Sequence, residues 1–366
     1  MSEQTIAAMR TTSEIVKLAR QRLDQNAWDY LTGGAETETT LLRNRQALDE
    51  IAFRPRVLNN VSDIDLSREF LGMKMRLPVF LAPIGGLQQI CPNGGGLPAL
   101  KAAEDFGILS ILSSVTEPGM DVAKAEVKSP LGYQLYVHGD DAWVFDILDQ
   151  VQALGFVAFC LTVDTAIYSR RERDLIKGHT PRGRQRAGLD RDYQAKLDWD
   201  QIDRIRDKCK VALVAKGIAT AEDARLAVEH GIDIVYISNH GGRQLDHGRG
   251  AIAVLPEVVE AVDGKAKVVV DGGFVRGTDI IKAIALGADA VGIGKLYGWG
   301  LAAGGQEGVA RVLDILEEEM QVSMGLLGAN ALDKLTPAHL YRDARPVRAP
   351  SVTSGFPHIK FPDFDY

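Results

Sequence analysis

Eight short apolar runs, each followed by a stretch of helical periodicity, constrain the fold of this chain more than any other feature. They span Val79 to Gly85, Leu109 to Ser114, Leu131 to Val137, Val157 to Asp164, Val211 to Gly217, Ile234 to His240, Lys267 to Gly273 and Ala290 to Lys295. Near-continuous apolar runs of this length are expected of parallel strands covered on both faces. Eight of them match a (β/α)8 TIM barrel, an α/β fold. A doubly wound open sheet is the competing arrangement. It fits less well, because polar residues gather at the ends of most runs, whereas an open sheet concentrates its site at one switch point. Helix signals lie between the runs: Thr220-Ala-Glu-Asp223 has the form of a capping box, Gly231 closes that helix, and Thr278 starts another that ends near Gly287.

The flanks have a different texture. Ile15, Leu18, Ala19 and Leu23 recur at helical spacing from Ser13 onward, and Gly33-Gly34 stops that helix. A polar helical stretch with Leu41, Leu42 and Leu48 follows. Phe53-Arg-Pro-Arg56 then opens an irregular segment running to about Leu77. Residues 1–77 thus read as an N-terminal helical extension, an appendage outside the core that contributes to the active site, residues 78–326 as the barrel, and residues 327–366 as a C-terminal tail, with one structural domain overall. The stretch from Ile176 to Ile202, rich in Arg, Gly and Asp, reads as a mobile loop or lid. The tail, with Pro346, Pro350, Pro357 and Pro362 among aromatics, reads as an extended strap on a neighbouring subunit.

With 46% hydrophobic and 25% charged residues, the composition of the 366-residue chain is that of a globular protein. The net charge of -7, without long like-charge blocks, argues against nucleic acid as a partner. Cys91, Cys160 and Cys209 are odd in number and far apart, which suggests neither a disulfide framework nor a metal site and points to a reducing, cytoplasmic compartment. No apolar run reaches membrane-spanning length and the first residues lack a signal-peptide pattern, so no integral membrane contact is expected.

In a barrel the chemistry sits at the C-terminal ends of the strands. Here those ends carry Ser113, Gln134 and Tyr136, Thr162 and Asp164, Lys216, and Ser238-Asn-His240-Gly-Gly-Arg243. Taken singly, each has an ordinary structural explanation as a helix cap or a satisfied polar residue. A Lys, a His, an Asp, a Tyr and an Arg on one rim would be costly to bury without a ligand to pair with. Asp271-Gly272-Gly273 and Gly292-Ile-Gly294-Lys295 fit the phosphate site that barrels build from their last two loops, since bare backbone amides approach phosphate oxygens closely. Neither a P-loop nor a dinucleotide fingerprint is present, which favours a mononucleotide.

Ser238-Asn-His-Gly-Gly-Arg-Gln-Leu-Asp246 resembles the signature of the FMN-dependent 2-hydroxy acid oxidases and dehydrogenases, the group of glycolate, lactate and mandelate enzymes and the flavin domain of flavocytochrome b2. Further matching segments run along nearly the whole chain: Tyr30 to Glu36, Phe53-Arg-Pro-Arg56, Ala82-Pro83, Gln134-Leu-Tyr136, Leu161 to Thr165, Arg170-Arg-Glu172, Lys216-Gly217, Asp271-Gly-Gly273 and Gly277-Thr-Asp279. The resemblance implies FMN as cofactor and oxidation of an (S)-2-hydroxy acid to the 2-keto acid, with oxygen or another acceptor taking the electrons. It implies His240 as base and Asp164 as its partner. Arg243 and Tyr30 would hold the substrate carboxylate, Arg171 would be a second and more movable contact to it, and Tyr136 would meet the substrate hydroxyl. On the flavin side it implies Lys216 at the pyrimidine edge. Ser113, Gln134, Thr162 and Ser238 would be hydrogen-bonding partners, and Pro83, Ile84 and Gly85 the backbone against one ring face. Asp271, Gly272, Gly273, Gly294 and Lys295 would lie at the ribityl and phosphate. It also suggests a homo-oligomer, a tetramer or octamer. The polar insertion after the fourth run, where the membrane-bound mandelate dehydrogenases carry an apolar one, implies a soluble enzyme.

The chain departs from the family pattern at instructive places. Val275 stands where the first arginine of D-G-G-x-R-R-G is usual, and Lys295 where Gly-Arg is usual. Lysine offers a point charge without a bidentate fork, so FMN retention is expected to be weaker. Val115 replaces the tryptophan of plant-type glycolate oxidases and Ala166 a common proline. The smaller wall residue implies a substrate larger than glycolate, aromatic or branched, unless Tyr168 fills the space. Two other readings stay open: FMN-dependent oxidation of a non-hydroxy-acid substrate in peptide-derived cofactor maturation, and a catalytically silent flavin-binding module.

Overall fold

In the computed structural model, which describes residues 6–180, 192–349, 351, 354–356 and 358–359, the eight runs become eight parallel strands. They are β1 (Val79–Leu81), β2 (Leu109–Ser113), β3 (Leu131–Leu135), β4 (Ala158–Thr162), β5 (Ala212–Ile218), β6 (Ile234–Ile237), β7 (Lys267–Val270) and β8 (Ala290–Ile293). Each pairs with its neighbours in chain order, and β8 pairs with β1 through Val291 opposite Val79, which closes the sheet into a barrel. Closure rules out the open sheet. Nearly every strand residue is buried, because the barrel fills one face and surrounding helices cover the other.

The helix signals between the strands hold. Thr220 caps the helix Ala221–Glu229 by accepting the Asp223 N–H at 3.1 Å, and Gly231 turns the chain at φ +70. The helix expected from Thr278 begins one residue earlier, at Gly277, and runs to Ala285.

The N-terminal part differs from expectation in three respects. The single helix expected from Ser13 is two, α1 (Thr12–Arg22) and α2 (Gln25–Thr32). Asp24 interrupts it by accepting the Ala27 N–H at 2.8 Å, a new N-cap that outweighs the continuing apolar spacing. Second, this region is part of the core. Ile15, Val16 and Ala19 of α1 are buried against the long C-terminal helix Lys295–Leu327, and Trp28 of α2 stacks on Trp299. Third, the segment taken as irregular contains an antiparallel hairpin, Arg68–Phe70 with Met73–Met75. Its Phe70 and Met75 pack with Phe80, Leu109, Ile111, Cys160, Val214, Ile234, Tyr236 and Val269, so the hairpin plugs the floor of the barrel. The third N-terminal helix, α3 (Thr39–Asp49), lies beside the helix Ala251–Val262.

Within the stretch expected to be a loop or lid, the described residues form the helices Asp192–Lys196 and Trp199–Lys208, while residues 181–191 lie outside the described residues. Of the C-terminal part, Leu340–Tyr341 pairs with Ala52–Phe53, and Phe356 is buried edge-on against Trp299 of its own chain. Pro350, Pro357 and Pro362 lie outside the described residues.

Candidate active site

Side chains alternate between the two faces of a strand, so an apolar inward residue near the floor is followed two residues later by an inward residue nearer the top. Cys160 is followed by Thr162, Val214 by Lys216, Tyr236 by Ser238 and Val269 by Asp271. The lower members belong to the inner apolar cluster. The upper ones, with Ser113 and Gln134, form a buried polar layer joined by hydrogen bonds. Ser113 Oγ donates to Gln134 Oε1 at 2.7 Å, and Gln134 Nε2 donates to Thr162 Oγ1 at 2.9 Å. On the other side of the barrel Lys216 Nζ donates to Ser238 Oγ at 2.9 Å, and Ser238 Oγ donates to Asp271 Oδ1 at 2.7 Å. Tyr236 donates to Asp271 Oδ2 at 2.8 Å. Its phenol is held well above its usual range by burial and the Asp271 charge, so it stays a donor.

Above this layer the loop after β6 turns sharply. His240, Gly241 and Gly242 all adopt left-handed backbone, at φ +59, +63 and +78. That conformation is strained for the histidine and readily reached by the glycines. Gly242 has no alternative, since a Cβ there would come within 2.5 Å of the Leu41 backbone. His240 Nδ1 lies 3.3 Å from Asp164 Oδ1, and its Nε2 lies 3.2 Å from the Tyr136 hydroxyl. Burial lowers the His240 pKa below its usual 6.5 and outweighs the Asp164 carboxylate that opposes it, so the ring is neutral at pH 7. Burial pushes Asp164 up, but the His240 ring, its hydrogen bond and Lys216 together hold the carboxyl below its ordinary value. The neighbouring Asp164 Oδ2 is buried with no hydrogen-bond partner among the described residues. The pair is an ionised carboxylate orienting a neutral imidazole.

The cations are placed by the N-terminal helices. Arg243 Nη1 donates to the carbonyls of Tyr30 at 2.5 Å and Gly33 at 3.0 Å, and its guanidinium lies 4.9 Å from the Tyr30 ring centre. The Tyr30 hydroxyl donates to the Gly85 carbonyl at 2.5 Å. Arg171 precedes the helix Glu172–Ile176, and its Nε is buried with no hydrogen-bond partner among the described residues. Lys295 Nζ donates to the Gly241 carbonyl at 2.9 Å. Its pKa falls well below the usual value because it is buried and faces Arg243, Arg171 and Arg173.

These groups surround one cavity, about 1210 Å³ of empty space with its open mouth included. Of the residues singled out from sequence, Tyr30, Pro83, Ile84, Gly85, Val115, Tyr136, Arg171, Lys216, His240, Arg243, Asp271, Gly272, Gly273, Gly294 and Lys295 line it. Ser113, Gln134, Thr162, Ser238 and Asp164 sit one layer behind, hydrogen-bonded to one another or to lining residues as described. Leu31, Leu41, Tyr168, Gly241 and Phe274 also line it and went unnoticed, apart from Tyr168 as a possible space filler. So did Asn44, whose side chain exchanges hydrogen bonds with Asn239 at 2.7 and 2.9 Å beneath the Gly272–Gly273 turn. It lies on a helix of the extension, and only the fold brings it there.

The cavity fits a mononucleotide. Gly272 and Gly273 run at φ +108 and +87, and a Cβ on either would come within 3.0 to 3.1 Å of Asn44 or Ala251, so that turn presents bare backbone. Gly294, at the start of the long helix, faces open space apart from Ile84 at 4.0 Å. Among the described residues Arg171, Lys216, Arg243 and Lys295 line the cavity against a single carboxylate, Asp271. Such an excess of cations calls for anionic ligands.

Fold and site together define a flavin-mononucleotide oxidoreductase on a (β/α)8 barrel. Residues 19–342 match the FMN-dependent dehydrogenase family. The chain is 38% identical over 355 residues to an L-lactate oxidase of Nostoc sp., covering 90% of this chain and 97% of that one. It is likewise 38% identical to a peroxisomal (S)-2-hydroxy-acid oxidase of Oryza sativa subsp. japonica, covering 92% and 97%. Among solved structures, a soluble mutant of the membrane-associated (S)-mandelate dehydrogenase of Pseudomonas putida superposes with a TM-score of 0.85 at 32% identity, over 91% of this chain and 99% of that one. A mandelate oxidase superposes with a TM-score of 0.84 at 33% identity, over 91% and 98%. The chain belongs to the FMN-dependent dehydrogenase family, and it is an enzyme of 2-hydroxy acid oxidation that uses FMN. Among the described residues no helix is long and apolar enough to cross a membrane.

Proposed function

We propose that this enzyme oxidises an (S)-2-hydroxy acid larger than glycolate, with an aromatic or branched side chain, to the 2-keto acid, and that His240 is the base. One observation carries the reading: the His240 ring lies between Asp164, 3.3 Å from its Nδ1, and the Tyr136 hydroxyl, 3.2 Å from its Nε2, in a cavity also lined by Arg243 and Arg171. The substrate carboxylate pairs with the two guanidinium groups, which places the α-carbon and its hydroxyl between Tyr136 and His240. Oxidation removes two electrons and two protons from the substrate: His240 Nε2 takes one proton and Asp164 stabilises the imidazolium, while the two electrons and the second proton would pass to FMN. Burial raises the Tyr136 phenol far above its ordinary pKa, so it remains a hydrogen-bond donor to the substrate oxygen throughout. FMN supplies the two-electron acceptor when bound. Lys216, fixed by Ser238 and near Asp271, would offer a buried cation to the flavin ring, and Gly272, Gly273, Gly294 and Lys295 would hold the phosphate-bearing chain.

Val115 supports the larger substrate. It lines the cavity, and its Cγ2 lies 2.5 Å from where a Cβ on Gly85 would fall, so this small side chain packs on Gly85; Tyr168, which could fill the freed space, lines the same cavity. The mandelate enzymes among the matching structures act, by their names, on an aromatic 2-hydroxy acid. The test is anaerobic mixing of the flavin-loaded enzyme with a panel of 2-hydroxy acids while following the oxidised-flavin absorbance. Bleaching by mandelate or a branched acid at lower concentration than by glycolate is the expected result; preference for glycolate would overturn the size argument, and bleaching by none would overturn the reaction.

A further inference from the structure

We propose that Asp29 and Glu38 are positioning residues for substrate binding, locking the turn that carries Arg171 over the cavity through a double ion pair with Arg173 and Lys177. This rests on the reading of Arg171 as a contact to the substrate carboxylate. The Asp29 side chain, on α2, is fully buried, yet it holds a full charge partnership: Lys177 Nζ lies 2.5 Å from Oδ2, Arg173 Nη1 lies 3.5 Å from Oδ1, and Gln25 Nε2 donates to Oδ1 at 3.0 Å. Glu38 completes the lock. Its Oε2 accepts from Arg173 Nη2 at 2.6 Å while its Oε1 accepts the Gly34 N–H at 2.8 Å.

Arg173 lies within and Lys177 directly after the five-residue helix Glu172–Ile176, which is too short to be stable by itself. Arg171 sits at the head of that helix. Its Nε is buried, and among the described residues no group accepts from it. An arginine with an unsatisfied buried donor, pointed into a cationic cavity, will leave unless its backbone is held there. The lock supplies that hold, assisted by the Glu36 N–H donating to the Arg170 carbonyl at 3.0 Å. It also explains why an N-terminal helix, remote in sequence, belongs to the active site. The same stretch carries Tyr30 and the carbonyls that fix Arg243, so one segment sets the spacing of both guanidinium groups.

The test uses the FMN-loaded enzyme and the variant Arg173→Gln/Lys177→Gln, which removes the outer, partly exposed partners and leaves Asp29 in place. Hydrogen exchange read by mass spectrometry over residues 169–178 reports the lock without any ligand. The affinity for phenylglyoxylate, read from the flavin absorption spectrum, reports its consequence. Expected are faster exchange confined to that peptide and its contacts on α2, and about a tenfold loss of phenylglyoxylate affinity, which corresponds to about 1.4 kcal/mol. Because the lock acts through Arg171, adding Arg171→Ala to the variant should cost little further affinity. Unchanged exchange overturns the proposal, and so does faster exchange with unchanged affinity, or losses that add in full to those of Arg171→Ala. A wild type whose flavin no 2-hydroxy acid reduces would instead defeat the functional reading, and the exchange result would then decide the lock alone.

Discussion

Replacing Asp164 by Asn tests the catalytic pair most directly. The carboxylate lies 3.3 Å from His240 Nδ1 in a buried setting. At an effective dielectric of about 20, two unit charges at that distance attract by about 5 kcal/mol, an upper bound on what Asp164 contributes once the imidazolium forms. Lys216 faces the same pair and offsets part of this. A retained amide contact at Nδ1 preserves some orientation, although an amide N–H donated to Nδ1 would favour the tautomer whose Nε2 is already protonated. The expected fall in kcat/KM is therefore about 10²- to 10³-fold, or roughly 3 to 4 kcal/mol. The pH profile adds a sign. If His240 is the base, the wild-type activity should rise with pH as its ring loses a proton, along a limb below the usual 6.5 because burial lowers that pKa. Asp164 favours the protonated ring, so its removal must move the limb to still lower pH. Anaerobic stopped-flow reduction of the flavin across pH 4.5 to 8 measures both. A loss smaller than about tenfold, or a limb displaced toward higher pH, would refute the assignment.

Val275→Arg places a guanidinium beside the glycine turn, where Arg45 is already held at 2.8 Å by both oxygens of Asp279, so titrating apoprotein should show about 10- to 100-fold tighter FMN binding with riboflavin unchanged; equal gains for both flavins would show that the phosphate is not what responds. Val115→Trp should lower kcat/KM for mandelate by more than about tenfold while sparing glycolate, because Gly85 blocks the other direction for the indole; parallel losses on both acids would count against a wall role. Arg45→Ala strands the buried Asp279 carboxylate, which Arg45 helps hold below its ordinary pKa, and urea unfolding should show about 3 to 5 kcal/mol of lost stability; a loss under about 1 kcal/mol would mean the ion pair is replaceable.

Much of this was legible in the chain. The barrel shows because each strand is an apolar run buried on both faces, and the site shows because Gln134, Thr162, Lys216, Ser238 and Asp271 interrupt those runs where an apolar residue would serve packing better. The hairpin over residues 68–75 escaped because its two three-residue strands are shorter than any periodicity can resolve, and its role as a floor depends on Phe70 and Met75 meeting side chains from most of the barrel. The break at Asp24 escaped because Leu23 continues the spacing of the preceding helix. A capping side chain decided the matter, and apolar periodicity carries no such information.

Of the N-terminal segment's part in the site, Tyr30 was legible through the resemblance, whereas Asn44 and the carbonyls that fix Arg243 were not. A (β/α)8 barrel provides a ring of inward side chains at its mouth, which here forms a buried polar layer of Ser113, Gln134, Thr162, Lys216, Ser238 and Asp271. It provides no roof. The loop at His240 runs through three left-handed residues and packs at Gly242 against α3, so without that helix the strained turn would have no surface to close on. Arg243 is fixed by carbonyls at the end of α2, and Asn44 of α3 underpins the glycine turn. The extension therefore converts a generic barrel mouth into a site with two aimed guanidinium groups. Substitutions at its buried positions, such as Asp29 or Asn44, should accordingly register in substrate or flavin affinity before they register in the integrity of the barrel.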